Sequence, residues 1–250
     1  MQYKKRIVII GATSAMATHC ARLWAQGQAP DFTLIGRDAE RLERVAADLR
    51  ARSHGARVTT VVADFLGAAN IARAVDAIVA EGPVDIALIA HGSLGDQATS
   101  QQDLAFCEAE LEVNGISPVL FAEALASHME RAGRGTLALI GSVAGDRGRK
   151  SNYVYGAAKG LVARYAQGLQ HRFAGTAVKV VLIKPGPTDT PMTSHLKAHG
   201  AKMAPVEDVA RGIVAAIDRG RPVAYVPPVW RVIMMVIRHL PAVVFNKLNI

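Results

Sequence analysis

The chain reads as an α/β fold, a doubly wound parallel sheet of seven strands with helices on both faces, and three observations carry that reading. Seven short apolar runs of strand type alternate with six segments of helical periodicity. The first run, Arg6 to Ile10, passes through a glycine turn straight into a helical stripe, as parallel sheets of this kind begin. At 250 residues, half of them hydrophobic, the chain has enough apolar material for one sizeable domain. No linker, low-complexity stretch or repeat divides it, so residues 1–228 are expected to form one domain and 229–250 an apolar, basic helical extension.

Taken in order, Arg6 to Ile10 is followed by GATSAMATHCARLWAQ, in which Ala17, Cys20, Ala21 and Trp24 form one helical stripe. Such a turn offers backbone N–H groups and a helix N-terminus to a pyrophosphate, although a plain strand-to-helix turn reads the same. The basic start MQYKKRIVIIGAT mimics a signal peptide, but its apolar run is too short and no cleavage-site pattern follows. FTLI is the second strand, ended by Gly36-Arg37-Asp38, and Leu42, Val45, Ala46 and Leu49 mark the next helix. VTTVVADF is the third strand; a helix from Asn70 to Ala80 leads past Gly82-Pro83 to the strand DIALIAHG. EAELEVNGISPVLFAEALASHMERAG is expected as one long helix with Val113, Ile116, Leu120 and Leu125 on its apolar side. TLALIG, the helix GLVARYAQGLQHRF and the strand VKVVLIKP come next, and the helix Val206 to Arg219 and the strand Pro222 to Val226 complete the alternation. Residues 193–205 lack a strong pattern and read as a mobile lid.

The net charge of +8 is concentrated in residues 146–172 and 219–250, the latter without an acid. That surplus is compatible with nucleic acid, an anionic membrane surface or a phosphorylated substrate. No recognised nucleic-acid module is visible, so nucleic acid is not an expected partner. Cys20 and Cys107 belong to no CxxC pair, which points to a reducing compartment, the cytoplasm, without structural disulfide, zinc or other metal.

Chemistry concentrates in SVAGDRGRKSNYVYGAAK, Ser142 to Lys159. Tyr155 and Lys159 are four apart and share a helix face, whereas Tyr153, six residues from Lys159, points elsewhere. A free tyrosine titrates near pH 10, so ionising it near neutrality takes about 4 kcal/mol, much of which an adjacent ammonium can supply. A strand-end hydroxyl, Ser142, with a phenol of depressed pKa and a lysine makes a site that polarises a carbonyl and delivers a proton to it. The Tyr–Lys pair alone equally fits an ordinary amphipathic helix; Ser142 and the glycine turn add the chemical reading.

Together, Ser142, Tyr155, Lys159 and the GATS turn resemble the short-chain dehydrogenase/reductase family over essentially the whole chain. The resemblance implies a Rossmann-like fold, a nicotinamide cofactor, a homo-oligomer, and reduction of a ketone to a secondary alcohol. It implies that Tyr155 donates the proton, Ser142 holds the oxyanion, and Lys159 lowers the Tyr155 pKa while binding the cofactor ribose. Asn114 falls at the fourth catalytic position, where an asparagine kinks its helix and holds a water. Of the family's glycine fingerprint Gly11 is kept, while Ala17 stands where a methyl is tolerated and Ala15 where backbone should approach the phosphates. Ala15 therefore leaves more to Thr13, Ser14 and Met16. Asp64 matches an aspartate that meets the adenine amino group, or else only starts the next turn. Where relatives have Asn-Asn-Ala-Gly this chain has Ile89, Ala90, His91 and Gly92, and His91 meets substrate or cofactor or is a packing variant. Pro185, Gly186, Thr188 and Thr190 match the segment that holds the nicotinamide carboxamide.

Position 36 is where an NAD-preferring relative carries an acid. Gly36 leaves room, and Arg37 offers a guanidinium to a 2′-phosphate, so NADP(H) is expected over NAD(H). The alternative makes Arg37 a solvated charge and Asp38 a helix N-cap.

At a finer level, SNYVYGAAK after RGRK, the GATS turn and the tail VWRVIMMVIRHLPAVVFNKLNI resemble the reductases of decaprenylphosphoryl keto-ribose. That resemblance implies Arg147, Arg149 and Lys150 as contacts to a substrate phosphate and the tail as a contact to lipid. A soluble ketone or 3-ketoacyl substrate is the enzymatic alternative, and a cofactor-sensing protein without turnover the non-enzymatic one. The tail, interrupted by Arg231, Arg238 and Pro241, is too short to span a bilayer. Its stripe of Val229, Val232, Ile233, Val236, Ile237 and Leu240 lies in the interface of the inner membrane face or packs on protein.

Overall fold

Parallel strands need long crossovers, so apolar strands alternating with amphipathic helices settle into a sheet covered on both faces. The computed structural model, which describes residues 4–27, 29–53, 55–194 and 202–248, has that form. Its strands are β1 (Arg6–Ile10), β2 (Asp31–Gly36), β3 (Val58–Val62), β4 (Ile86–Ile89), β5 (Gly135–Ile140), β6 (Val178–Pro185) and β7 (Val223–Val226). They lie parallel in the order β3-β2-β1-β4-β5-β6-β7, with Ile10 in register beside both Ile35 and Ile89. Strand order reverses between β1 and β4, and the crevice at the strand C-termini beside such a switch point is where doubly wound sheets bind ligands.

The helices are α1 (Ala15–Ala25), α2 (Ala39–Arg52), α3 (Ala68–Ala80), α4 (Gln97–Gln102), α5 (Leu104–Leu111), α6 (Ser117–Ala132), α7 (Tyr153–Arg172), α8 (Val206–Asp218), α9 (Val229–His239) and α10 (Ala242–Phe245). Strand alternation divides the core. Ile7 and Ile9 pack with Trp24, Leu42 and Ile213 of α1, α2 and α8, while Val8 and Ile10 pack with Ile71, Phe121 and Val162 of α3, α6 and α7. Each such aliphatic side chain, removed from water, contributes about 1.5–3 kcal/mol.

Two expectations change, and a third falls mostly outside the described residues. The long helix through Asn114 is two α-helices joined by a π-helical turn at Glu112–Ile116, and Asp103 caps the first by accepting from the N–H groups of Ala105 and Phe106. The third strand stops at Val62, so Asp64 stands beyond it. Most of the proposed lid, residues 195–201, lies outside the described residues; Ala204 beyond it bridges to Thr188.

The tail folds back on the sheet's end. Met234 is buried, Trp230, Ile233 and Ile237 are partly covered, and Val229, Val232, Met235 and Val236 face solvent. The covered face is thus rotated from the sequence stripe by roughly a quarter turn. Apolar side chains occupy almost every position not held by arginine or histidine, so the sequence pattern leaves two faces able to pack. The contact is settled by Trp230, whose indole occupies the space that a Cβ on Gly186 would need. No helix among the described residues is long and apolar enough to cross a membrane.

Candidate active site

The site is assembled where β1, β4, β5 and β6 end. The turn after β1 is set by Gly11, whose φ of +81° and contact with the His91 backbone, 2.6 Å from where a Cβ would lie, exclude any side chain. Helix α1 starts directly after it, with no side-chain cap from Ser14 and no acid in the first turn, so its leading N–H groups are left to a ligand. Ser14 and Met16 face the main cleft, Thr13 lines a side groove with Arg41, and Ala17 is buried in the core as its position allows. Ala15, at the helix start, leaves the turn intact.

Ser142 follows β5 and caps a short 3-10 turn, Val143–Asp146, by accepting from Ala144 N at 3.1 Å. Tyr155 and Lys159 come from the first turns of α7, and with Asn114 they line one cleft of about 830 Å³ together with Ser142. Asn114 is fully buried: its Oδ1 accepts from Ser93 N at 2.9 Å, and its Nδ2 donates to Glu110 O at 3.0 Å and Glu110 Oε2 at 3.1 Å. The π turn at Asn114 is the kind of local distortion that recurs at functional sites. Gly92, also in the lining, must lack a side chain, because a Cβ there would come 2.8 Å from Asn114 Oδ1 and 3.5 Å from Lys159 Nζ. Tyr153 is exposed at the surface of α7.

The electrostatics correct one expectation. Burial pushes the Tyr155 phenol up to about 12; its interaction with Ser142 pulls the other way, and the Glu110 carboxylate adds to the rise. Lys159, whose Nζ donates to Ile140 O at 3.2 Å, lies 5.7 Å from the Tyr155 ring centroid and is itself pushed down to about 8 by burial. Burial is the leading cause at both groups, and it leaves the phenol protonated at neutral pH rather than depressed. A protonated phenol beside a strand-end hydroxyl is suited to giving a proton to a carbonyl oxygen.

The remaining candidates separate. His91 is among the residues lining the cleft, yet its ring is held by packing: Nε2 is 2.9 Å from Ser117 Oγ, the ring packs 4.8 Å from Phe65 and 5.6 Å from Phe121, Nδ1 is buried without a hydrogen-bond partner, and burial holds the ring neutral with a pKa near 3. Ser117 donates to Phe65 O, so it accepts from His91. Asp64 is exposed and holds the turn after β3, accepting from Leu66 N and Asn70 Nδ2, each at 3.0 Å. Pro185, Gly186, Thr188 and Thr190 all line the cleft, where the Thr190 hydroxyl lies 3.1 Å from that of Thr193.

The basic loop is divided between two tasks. Arg147 leaves the site and donates to Ile237 O and Leu240 O at the C-terminal end of α9, the latter at 2.7 Å, while its guanidinium stacks 3.7 Å from the Phe245 ring centroid. Unsatisfied carbonyls and the negative end of a helix draw a cation away from any substrate, so the expected phosphate contact by Arg147 does not form. Lys150 is exposed and does not line the cleft; Arg149 does.

For a nicotinamide dinucleotide the residues fit. A bare helix N-terminus faces the cleft, and Arg37 stands exposed beyond Gly36 with no acidic partner among the described residues. Arg41 lines the side groove with Thr13 and carried no motif in the sequence. Ser93 and Glu110, which hold Asn114, and Trp230, which covers Gly186, carried no motif to reveal them.

Residues 5–201 match the family model described as short chain dehydrogenase, and the chain belongs to that family. An uncharacterized oxidoreductase of Mycobacterium tuberculosis is 35% identical over 243 residues, covering 97% of this chain and 96% of that protein. A cis-4-hydroxycyclohexanecarboxylate dehydrogenase of Sinomonas cyclohexanicum is 29% identical over 208 residues, 82% of each chain. Among solved structures, a short chain dehydrogenase from Burkholderia cenocepacia in complex with NADP superposes with a TM-score of 0.82 at 19% identity, covering all of both chains. The protein is therefore an oxidoreductase of the short-chain type, with the carbonyl–alcohol chemistry that class performs.

Proposed function

We propose that the protein is an NADP(H)-dependent reductase that turns a ketone into a secondary alcohol, with Tyr155 as proton donor. The cofactor supplies the hydride to the carbonyl carbon. Tyr155 gives its phenolic proton to the carbonyl oxygen, and Ser142 donates a hydrogen bond to that oxygen as charge develops on it. Lys159 would hold the ribose end of the cofactor, and Asn114 supports proton resupply to Tyr155 by holding a water that links Lys159 to solvent. Arg37 and Arg41 bind the 2′-phosphate, a reading the NADP-bound Burkholderia neighbour supports. The observation that carries the proposal is the convergence of Ser142, Tyr155, Lys159 and Asn114 on one cleft, with the phenol protonated at neutral pH. Tyr155→Phe removes the proton and almost no volume, so it should abolish ketone reduction while NADPH binding, followed by fluorescence, stays nearly unchanged. Retention of most of kcat with any accepted ketone would remove Tyr155 from the role.

A second reading, a polyprenyl-phosphate-linked keto-sugar met at a membrane surface, is favoured by the solvent-facing Val229, Val232, Met235 and Val236 beside Arg231, Arg238 and Lys247. Each cation adds about 1 kcal/mol near an anionic surface. On this reading the protein co-sediments with anionic liposomes at low salt, and V232E/V236E releases it. Failure to sediment at any salt removes the membrane and leaves that face to a second copy of the chain.

A further inference from the structure

The cleft that holds Ser142 and Tyr155 carries a second cation besides Lys159 and no carboxylate in its lining. That cation is Arg149. It is part-buried, and no ion pair reaches it among the described residues; no Asp or Glu side chain lies outside them. Its Nε and the Oδ1 of Asn152, another lining residue, are both covered and without a hydrogen-bond partner. Burial with no acid beside it lowers the guanidinium pKa. A desolvated cation is costly unless something pairs with it, and among the described residues nothing does.

Arg149 belongs to the segment joining Ser142 to Tyr155 and lines the cleft together with both. The turn that offers N–H groups to a pyrophosphate follows β1, two strands from β5 and about 10 Å across the sheet. Lys159 is already engaged with Ile140 O, and Arg147 with the tail.

We propose that Arg149 is the specificity-determining residue for the carbonyl substrate, pairing with a carboxylate or phosphate carried on the ketone. A planar guanidinium matches either group with two parallel hydrogen bonds. The idea rests on the reductase reading for the word ketone but not for the anion, and the two are tested apart. Binding comes first, with the wild-type protein saturated with NADP⁺. Calorimetric titration with cyclohexanecarboxylate, cyclohexyl phosphate and the neutral cyclohexanecarboxamide should show at least one anion binding about tenfold or more tightly than the amide. Which anion wins distinguishes carboxylate from phosphate substrates. Arg149→Ala should bring that preference close to one, and Arg149→Lys should keep part of it, with NADP⁺ affinity and melting temperature as controls on folding. Turnover follows: 4-oxocyclohexanecarboxylate against its methyl ester, and dihydroxyacetone phosphate against dihydroxyacetone, should show the same preference in KM and its collapse in Arg149→Ala. Equal binding of anions and amide by wild type, a preference that survives Arg149→Ala, or a weakened NADP⁺ affinity in its place would overturn the proposal. An inactive protein that still prefers the anion would leave Arg149 in this role and sink the reductase reading instead.

Discussion

Asp146→Ala tests how the two loops that flank the cleft are held together. Asp146 closes the turn after Ser142, and Lys184 stands next to the Pro185-Gly186 corner; their side chains, 3% and 6% exposed, form an ion pair. The Tyr225 hydroxyl donates to the second carboxylate oxygen at 2.7 Å. Removing the carboxylate strands an ammonium in the interior, a loss of about 3–5 kcal/mol. Water entering the vacated space offsets the separate loss of about 1–3 kcal/mol at the Tyr225 hydroxyl, so about 3–5 kcal/mol is the expected total. For a chain of this size each kcal/mol shifts Tm by about 2–4 °C, which gives a fall of about 6–20 °C. Urea and thermal unfolding of wild type, D146A, K184M and D146L/K184M form the cycle. The double variant should regain most of the loss, since apolar side chains of similar volume often replace a buried pair without cost. Below the lowered Tm, D146A should also turn over any accepted ketone more slowly, because Ser142 and the Pro185–Thr190 segment lose their common tie. A D146A loss under about 1 kcal/mol, or a double variant no better than the single one, would refute the reasoning.

Two further outcomes follow from the site. Arg37→Ala, and more strongly R37A/R41A, should raise KM for NADPH about tenfold or more while leaving KM for NADH nearly unchanged, the loss expected for a charge-assisted contact of about 1.5–3 kcal/mol; equal effects on both cofactors would remove the 2′-phosphate contact. Ketone reduction requires Tyr155 protonated and Lys159 charged, and with these at about 12 and about 8 the rate should be level through neutral pH and fall above about pH 8 as Lys159 loses its proton. Alcohol oxidation, which needs the phenol to accept a proton, should instead rise with pH, and a reduction rate constant to pH 9.5 would contradict the assignment.

The sheet was legible because its inner strands β1, β2, β4, β5 and β6 are mostly Val, Ile, Leu, Phe and Ala, the pattern that burial on both faces selects. The candidate catalytic groups were legible because Ser142, Tyr155, Lys159 and Asn114 stand where the family resemblance implies them, and all four line one cleft. What escaped has a physical reason in each case. The break at Glu112–Ile116 falls where the family resemblance puts a kink, at Asn114, but the segment's apolar pattern alone reads as one continuous helix. Tyr155 was expected to be acidic because the sequence shows the neighbouring charge but not the burial, and burial decides. Arg147 and Arg149, two residues apart across Gly148, could not be told apart, because an irregular loop has no period to assign a side chain to one face. Only the helix end waiting beside Arg147 separates them.

That separation decides how the tail has to be probed. Removing the residues after Pro228 takes away the indole that covers Gly186 and frees Arg147 from the end of α9, so it disturbs the nicotinamide loop and the Ser142 loop at once. Arg149, two residues from Arg147 on the same loop, would move with it. Lost activity in a truncated chain would therefore report on these contacts whether or not the tail meets lipid. The exposed side chains offer the cleaner probe. Val232 and Val236 are more than half exposed among the described residues, while Met234 and Trp230 keep the tail in place. Charged substitutions at the first pair change only what the tail presents outward, so a response in liposome binding or in self-association belongs to that face alone.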